Sequence, residues 1–318
     1  MYYNEYMYPS IEIDNFLSKS EVSEITDRYN ELEKLILEEY FEEEPNNAKI
    51  TCLHVMDWES NAITHTARIT GDNRFIGHGG EADDEEFKLF IASIDTGWIQ
   101  DTKDLVSKKL NDIKRGTSDI ITISFFDFFL PFETHSDGFD LPEDIKQSSR
   151  SPEVDKMVEE MKQNATYNFL HQGLINIDAD PEHGTVIFNQ WYPMSVYCDY
   201  SMDNTKRWST GWGPYKETIQ FYKGDLPIRY GEHIRNFTNK YMADDEYNII
   251  TQYDTTHFPR DASYGLSLEK QLLFGESGKM VSWDGKKFHK PKPFPRVSYQ
   301  EGLKRNRLCL QYEVIKRI

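Results

Sequence analysis

Apolar and polar positions divide the chain into a largely helical first third and a strand-rich remainder. Pro9 to Leu17, PSIEIDNFL, alternates side chains over a short stretch and predicts a strand. Ser18 with Glu21 three residues on is the signature of a capping box. Val22, Ile25, Tyr29, Leu32, Ile36 and Tyr40 then recur at helical spacing, so a helix with one apolar stripe is expected. The acidic stretch that ends it, EEYFEEEPNN, reads as a solvated terminus and loop. Short strands are expected around Lys49 to Val55 and Ala62 to Ile69. A second helix is expected from Asp84 to about Asn111, burying Phe87, Phe90, Ile91, Ile94, Trp98 and Leu105, with Gly97 as its weak point. Two long amphipathic helices ahead of a β-rich remainder predict helices packed on one face of a sheet.

The remainder opens with Thr117 to Asp137, TSDIITISFFDFFLPFETHSD, rich in β-branched and aromatic residues and closed by Pro131 and Gly138. It reads as a buried strand that carries His135 and Asp137 at its mouth. On an extended chain residues i and i+2 project to the same side, so an imidazole and a carboxylate are offered to a single ion. That is two-thirds of the 2-His-1-carboxylate set that holds non-haem Fe(II) and leaves coordination positions open. A lone His-x-Asp carries little weight, because a chain with nine His yields on the order of one by chance.

Leu141 to Gln163 is polar and lies where a lid or substrate-contacting loop is expected. Tyr167 to Ile177 and Gly184 to Asn189 are apolar strands flanking the turn DADPEHG, in which His183 reads as structural. Trp191 to Phe274 is rich in Tyr, Trp, Asn and Asp, with turn signals at Gly211, Gly213, Pro214 and Gly224, and reads as an elaborated insertion. From Tyr264 to Ile315 two strands are expected, Lys279 to Asp284 and Arg307 to Ile315. His289 is placed at the end of the turn after the first, and Pro291, Pro293 and Pro295 make the connection irregular. Along the last strand Arg305, Arg307, Cys309 and Gln311 share one face, and Leu308, Leu310 and Tyr312 the other.

Composition narrows the function. With 318 residues, 38% hydrophobic and 14% aromatic, the chain has the material for one large domain with a sizeable core, or two small ones. A formal net charge of −18 without a Lys/Arg-rich stripe argues against nucleic acid as a partner. Cys52, Cys198 and Cys309 are few, odd in number and not at metal-type spacing, as expected in a reducing cytosol. The first residues, MYYNEYMYPS, do not pair a basic region with an apolar one, and no apolar run reaches membrane-spanning length, so a cytoplasmic protein without a membrane partner is expected. His54, His65, His78, His233 and His257 fall in no ligand pattern.

Four pieces taken in order resemble the 2-oxoglutarate- and Fe(II)-dependent oxygenases, in a prolyl-hydroxylase-like branch of phage and bacterial type. PSIEIDNFLSKSE resembles the opening strand and helix; THSD resembles the metal pair; LINIDADPEHGTVIFNQ resembles the strand-turn-strand that crosses the barrel. YGLSLEKQLLFGESGKMVSWDGKKFHKPKPF with GLKRNRLCLQYEV resembles the end that carries the distal His and the basic residue. Together they cover about a quarter of the chain.

The resemblance implies an α+β fold with a mainly β core: a double-stranded β-helix, a jelly-roll or cupin-like barrel flanked by amino-terminal helices. Residues 1–318 would form one oxygenase domain, with 1–116 as support, 117–190 and 264–318 as the β-helix core, and 191–263 as an insertion. It implies His135, Asp137 and His289 as iron ligands and Arg307 on the far carboxylate of 2-oxoglutarate, with Arg305 its rival because the interval from His289 to Arg307 is longer than usual. Phe132 stands where several relatives place a Tyr that contacts the cosubstrate, and the retained Asp137 argues against the halogenating branch. The expected cofactors are Fe(II), 2-oxoglutarate and O₂, and the expected reaction hydroxylates or otherwise oxidises an unactivated C–H of a small molecule. A peptidyl, prolyl-type hydroxylase and a non-catalytic metal- or ligand-binding barrel are the alternatives. Oligomeric state is left open.

Overall fold

The computed structural model describes residues 8–42, 44, 48–54, 66–69, 75–76, 89–90, 93–115, 120–127, 135–137, 167–191, 196–200, 206–210, 213–214, 220–223, 226–229, 268–292 and 307–317. Two antiparallel sheets dominate them. The main sheet runs, in spatial order, β1 (Ile11–Ile13), β15 (Met280–Asp284), β7 (Tyr167–Ala179), β17 (Arg307–Arg317), β5 (Ile120–Asp127), β2 (Ile50–His54), β3 (Thr66–Ile69) and β4 (Phe75–Ile76). The second sheet runs β11 (Gly213–Pro214), β10 (Lys206–Thr210), β9 (Val196–Tyr200), β6 (His135–Ser136), β16 (Lys287–Pro291), β8 (Gly184–Trp191), β12 (Gln220–Lys223) and β13 (Leu226–Arg229), with β14 (Leu268–Leu273) also paired to β8.

The pairing follows one rule. The chain goes out through β5, β6, β7 and β8 and returns through β14, β15, β16 and β17, and each returning strand lies antiparallel to its outgoing counterpart: β14 on β8, β15 on β7, β16 on β6, β17 on β5. β5, β7, β15 and β17 fall in the main sheet, and β6, β8, β14 and β16 in the second. Additional pairings of β17 with β7 and β16 with β8 join successive crossings. The residues of the insertion that are described, β9 to β13, extend the second sheet, and β9 pairs with β6 beside His135.

Helix α1 (Lys19–Leu35) begins as expected: the Glu21 amide donates to Ser18 Oγ at 3.3 Å and the Ser18 amide to the Glu21 carboxylate at 2.6 Å. It runs on into a π-helical turn over Ile36–Tyr40. Helix α2 (Gly97–Asp112) is shorter than the expected Asp84–Asn111 helix: the chain breaks at Asp95–Thr96, and Asp95 Oδ1 accepts from the Gly97 amide. The weak point is therefore the start of the helix. Ile99, Val106 and Leu110 are its buried apolar side chains, with Trp98 and Leu105 only partly buried.

Each sheet face has its own core. Val22, Ile25, Tyr29 and Leu32 of α1 and Ile99, Val106 and Leu110 of α2 pack on the outer face of the main sheet, against Ile121, Ile123 and Phe125 of β5, Ile175 and Ile177 of β7, and Leu308, Leu310 and Tyr312 of β17. This is the helix-on-sheet layer expected from the sequence. Between the two sheets lies a second, smaller cluster that includes Leu174, Ile187, Leu272, Val281, Trp283 and Cys309. The strict alternation along β17 thus sends Leu308, Leu310 and Tyr312 to the helices and Cys309 to the inter-sheet space.

Candidate metal centre

The expected single strand over Thr117 to Asp137 is two strands in different sheets: β5 belongs to the main sheet and β6, which carries His135, to the second. Asp137 directly follows β6, fixed by its amide, which donates to the Gly285 carbonyl at 3.0 Å. His289 is not at the end of a turn but in the middle of β16, after the tight turn at Gly285–Lys286. Its register partners are His135 on β6 and Ile187 on β8. Ile187 belongs to the inter-sheet cluster, so His289 faces the same interior.

There it meets Asp137. His289 Nε2 lies 3.1 Å from Asp137 Oδ2, with the His289 side chain 5% exposed and that of Asp137 31%. The pair therefore sits at a rim of the inter-sheet space, one partner enclosed and the other open to approach. His289 Nδ1 is 3.0 Å from the Lys287 carbonyl oxygen, which can only accept, so Nδ1 carries a proton and Nε2 is the ring nitrogen that faces Asp137. Metal-ligating imidazoles are commonly held in this way, by a backbone carbonyl on the other ring nitrogen. Trp283 flanks the ring with centroids 5.0 Å apart.

The main sheet faces this pair with a row of side chains in register. Trp283 of β15 is opposite Gln172 of β7, Gln172 opposite Glu313 of β17, and Glu313 opposite Thr122 of β5. Gln172 Nε2 donates to Asp137 Oδ2 at 2.7 Å and stands 3.2 Å from His289 Nε2, so the main sheet reaches both members of the pair through one amide. Gln311 Nε2 contacts Gln172 Oε1 at 3.3 Å and donates to Glu313 Oε1 at 2.9 Å; Thr122 Oγ1 donates to Glu313 Oε2 at 3.2 Å. Burial foremost, and then the nearby Asp137 charge, push the Glu313 carboxyl up to about 7.

The two described donors, Asp137 and His289, fit neighbouring positions on a divalent ion. Adjacent ligands of an octahedral ion with bonds near 2.1 Å stand on the order of 3 Å apart, close to the Asp137–His289 separation, which is also that of an N–H···O hydrogen bond. Among the described residues no three His, Cys, Asp or Glu side chains gather at one point. The side chains of His135 and Arg307 and the whole of Arg305 lie outside the described residues; the backbone puts His135 opposite His289 and Arg307 opposite Ala179, at the start of β17.

Nothing in the sequence marks Gln172 or Glu313 as site residues. In RLCLQYEVI the phase of Gln311 and Glu313 on the strand is visible, but a polar alternate face reads as solvent-facing; its placement toward a second sheet is a tertiary fact. No family model, curated protein or solved structure matches the chain. Among the described residues no helix is long and apolar enough to cross a membrane.

Proposed function

We propose that this chain is an Fe(II)- and 2-oxoglutarate-dependent dioxygenase on a double-stranded β-helix, oxidising an unactivated C–H of a small molecule. The observation that carries the reading is the approach of Asp137 Oδ2 and His289 Nε2 to 3.1 Å, from segments 152 positions apart by number, with the imidazole pinned through Nδ1. The fold part rests on the outgoing and returning strands that alternate between two sheets, the arrangement of a jelly roll.

In this reading His135, Asp137 and His289 hold Fe(II), and Arg307, or Arg305 in its place, takes the far carboxylate of 2-oxoglutarate through a planar guanidinium fork that does not lose its charge. Arg307 precedes Gln311 by four residues, about 13 Å of extended strand, a span on the scale of an arginine side chain plus a five-carbon dicarboxylate. Iron held there would supply the oxidising chemistry, in which 2-oxoglutarate, O₂ and R–H give succinate, CO₂ and R–OH. This chain's side chains do the rest. His289 and Asp137 present lone pairs at fixed spacing, Gln172 steadies the carboxylate, and Trp283 shields one side of the imidazole from water.

The test is anaerobic titration with Fe(II) and 2-oxoglutarate, read by visible absorbance, followed by succinate detection. A charge-transfer band that is lost in His289→Ala and Asp137→Ala is expected. A band that survives both substitutions unchanged overturns the metal assignment, and a band without succinate under any substrate screen leaves a binding barrel without turnover.

A further inference from the structure

The interior row contains a carboxylate that the iron chemistry does not use. Glu313 accepts one hydrogen bond at each oxygen, from Gln311 Nε2 and from Thr122 Oγ1, both neutral donors. A carboxylate has about four lone-pair sites, so acceptor capacity remains. Among the described residues no Lys, Arg or His side chain forms a salt bridge with it, and the charge that acts on it, that of Asp137, has the same sign. Space adjoins it as well. Gln311 and Glu313 keep partial exposure, whereas Leu310, Tyr312 and Val314 between and beside them are buried, so the inter-sheet side of β17 is incompletely closed at this point.

A carboxyl kept inside a fold without a counter-charge either holds on to its proton or is joined by something positive. We propose that Glu313, with the Gln311 amide oxygen beside it, is the subsite for a cationic head of the substrate: a primary ammonium or a guanidinium on a small molecule. Such a head makes charge-assisted hydrogen bonds to the carboxylate, and its carbon chain then runs past Gln172 toward Asp137 and His289, within reach of the reacting centre. This substrate class rests on the oxygenase reading for its place in a reaction, though not for the binding itself.

The experiment uses the full chain and calorimetric titration with four probes: L-arginine and L-lysine against their neutral counterparts L-citrulline and L-norleucine. At least one cation should bind about ten- to a hundredfold more tightly than its neutral partner, the value of a charged hydrogen bond. Glu313→Gln should erase that preference, while Glu313→Asp, which keeps the charge, should retain part of it; thermal melting verifies that both variants are folded. Equal binding of cation and neutral partner, no binding of either cation, or an undiminished preference in Glu313→Gln overturns the proposal. Cation preference without an Fe(II)–2-oxoglutarate band leaves this subsite standing and removes the oxygenase reading; the band without the preference does the reverse.

Discussion

Replacing Glu313 by Gln should make the protein more stable at neutral pH, by an amount that disappears in mild acid. The folded carboxyl is raised from an ordinary 4.5 to about 7 because ionisation puts a second negative charge into a poorly hydrated space near Asp137. The unfolded chain releases that proton near 4.5 and the folded chain holds it until about 7. Between these values each rise in pH favours the unfolded state, and above about 7 the loss levels off. At about 1.4 kcal/mol per pH unit the full loss is about 3 kcal/mol, an upper bound because partial exposure of the side chain lets solvent screen the charge. Gln imitates the protonated form in shape and keeps an oxygen for Thr122, so the variant escapes the loss. Urea unfolding of both proteins between pH 4.5 and 8 isolates the effect, since other titrating groups, including Glu33, which is also pushed up to about 7, cancel in the difference. A stability difference that stays flat over this range, or that grows toward acid, refutes the environment assigned to Glu313.

Three further outcomes test the scaffold. Lys49→Met should cost up to about 3–5 kcal/mol in urea unfolding, because Lys49 Nζ lies 2.9 Å from Asp127 Oδ1 with both side chains about nine-tenths buried, and the substitution removes the ammonium that faces this buried carboxylate at the end of β5. Gly173→Ala should be poorly tolerated: a Cβ there would stand 2.5 Å from the Val281 carbonyl oxygen and 2.6 Å from the Tyr312 ring, so β15 must shift off β7; thermal melting should fall by several degrees, and an unchanged melt contradicts the packing. Ser18→Ala should cost about 1 kcal/mol through loss of the cap on α1, with no effect on metal binding.

The sequence disclosed those parts of the fold that have a local cause. The Ser18–Glu21 cap, the α1 stripe and the apolar phase of Leu308, Leu310 and Tyr312 are periodic, and the structure carries all three. The division of Thr117–Asp137 between two sheets was hidden because β-branched and aromatic residues fill the run on both sides of the crossing, so nothing in the pattern marks a change of partner. β14 was missed because LEKQLL, mostly half-buried, has no clean alternation. His289 was placed at a turn because KFHKP reads as polar, yet Phe288, His289 and Lys290 are all buried on β16 by the strands on either side. Asp137 and His289, named from the sequence, are brought together by the fold, whereas Gln172 and Glu313 carry no sequence signal, since only register across three strands places them beside that pair.

Strand β17 is inserted between β5 and β7, and its pairing becomes possible only after Arg307–Arg317 has emerged from the ribosome. Until Arg307–Arg317 is out, two neighbouring strands present bare hydrogen-bonding edges with a gap one strand wide between them. The nascent protein is thus exposed, during that interval, to capture by any extended segment of matching alternation.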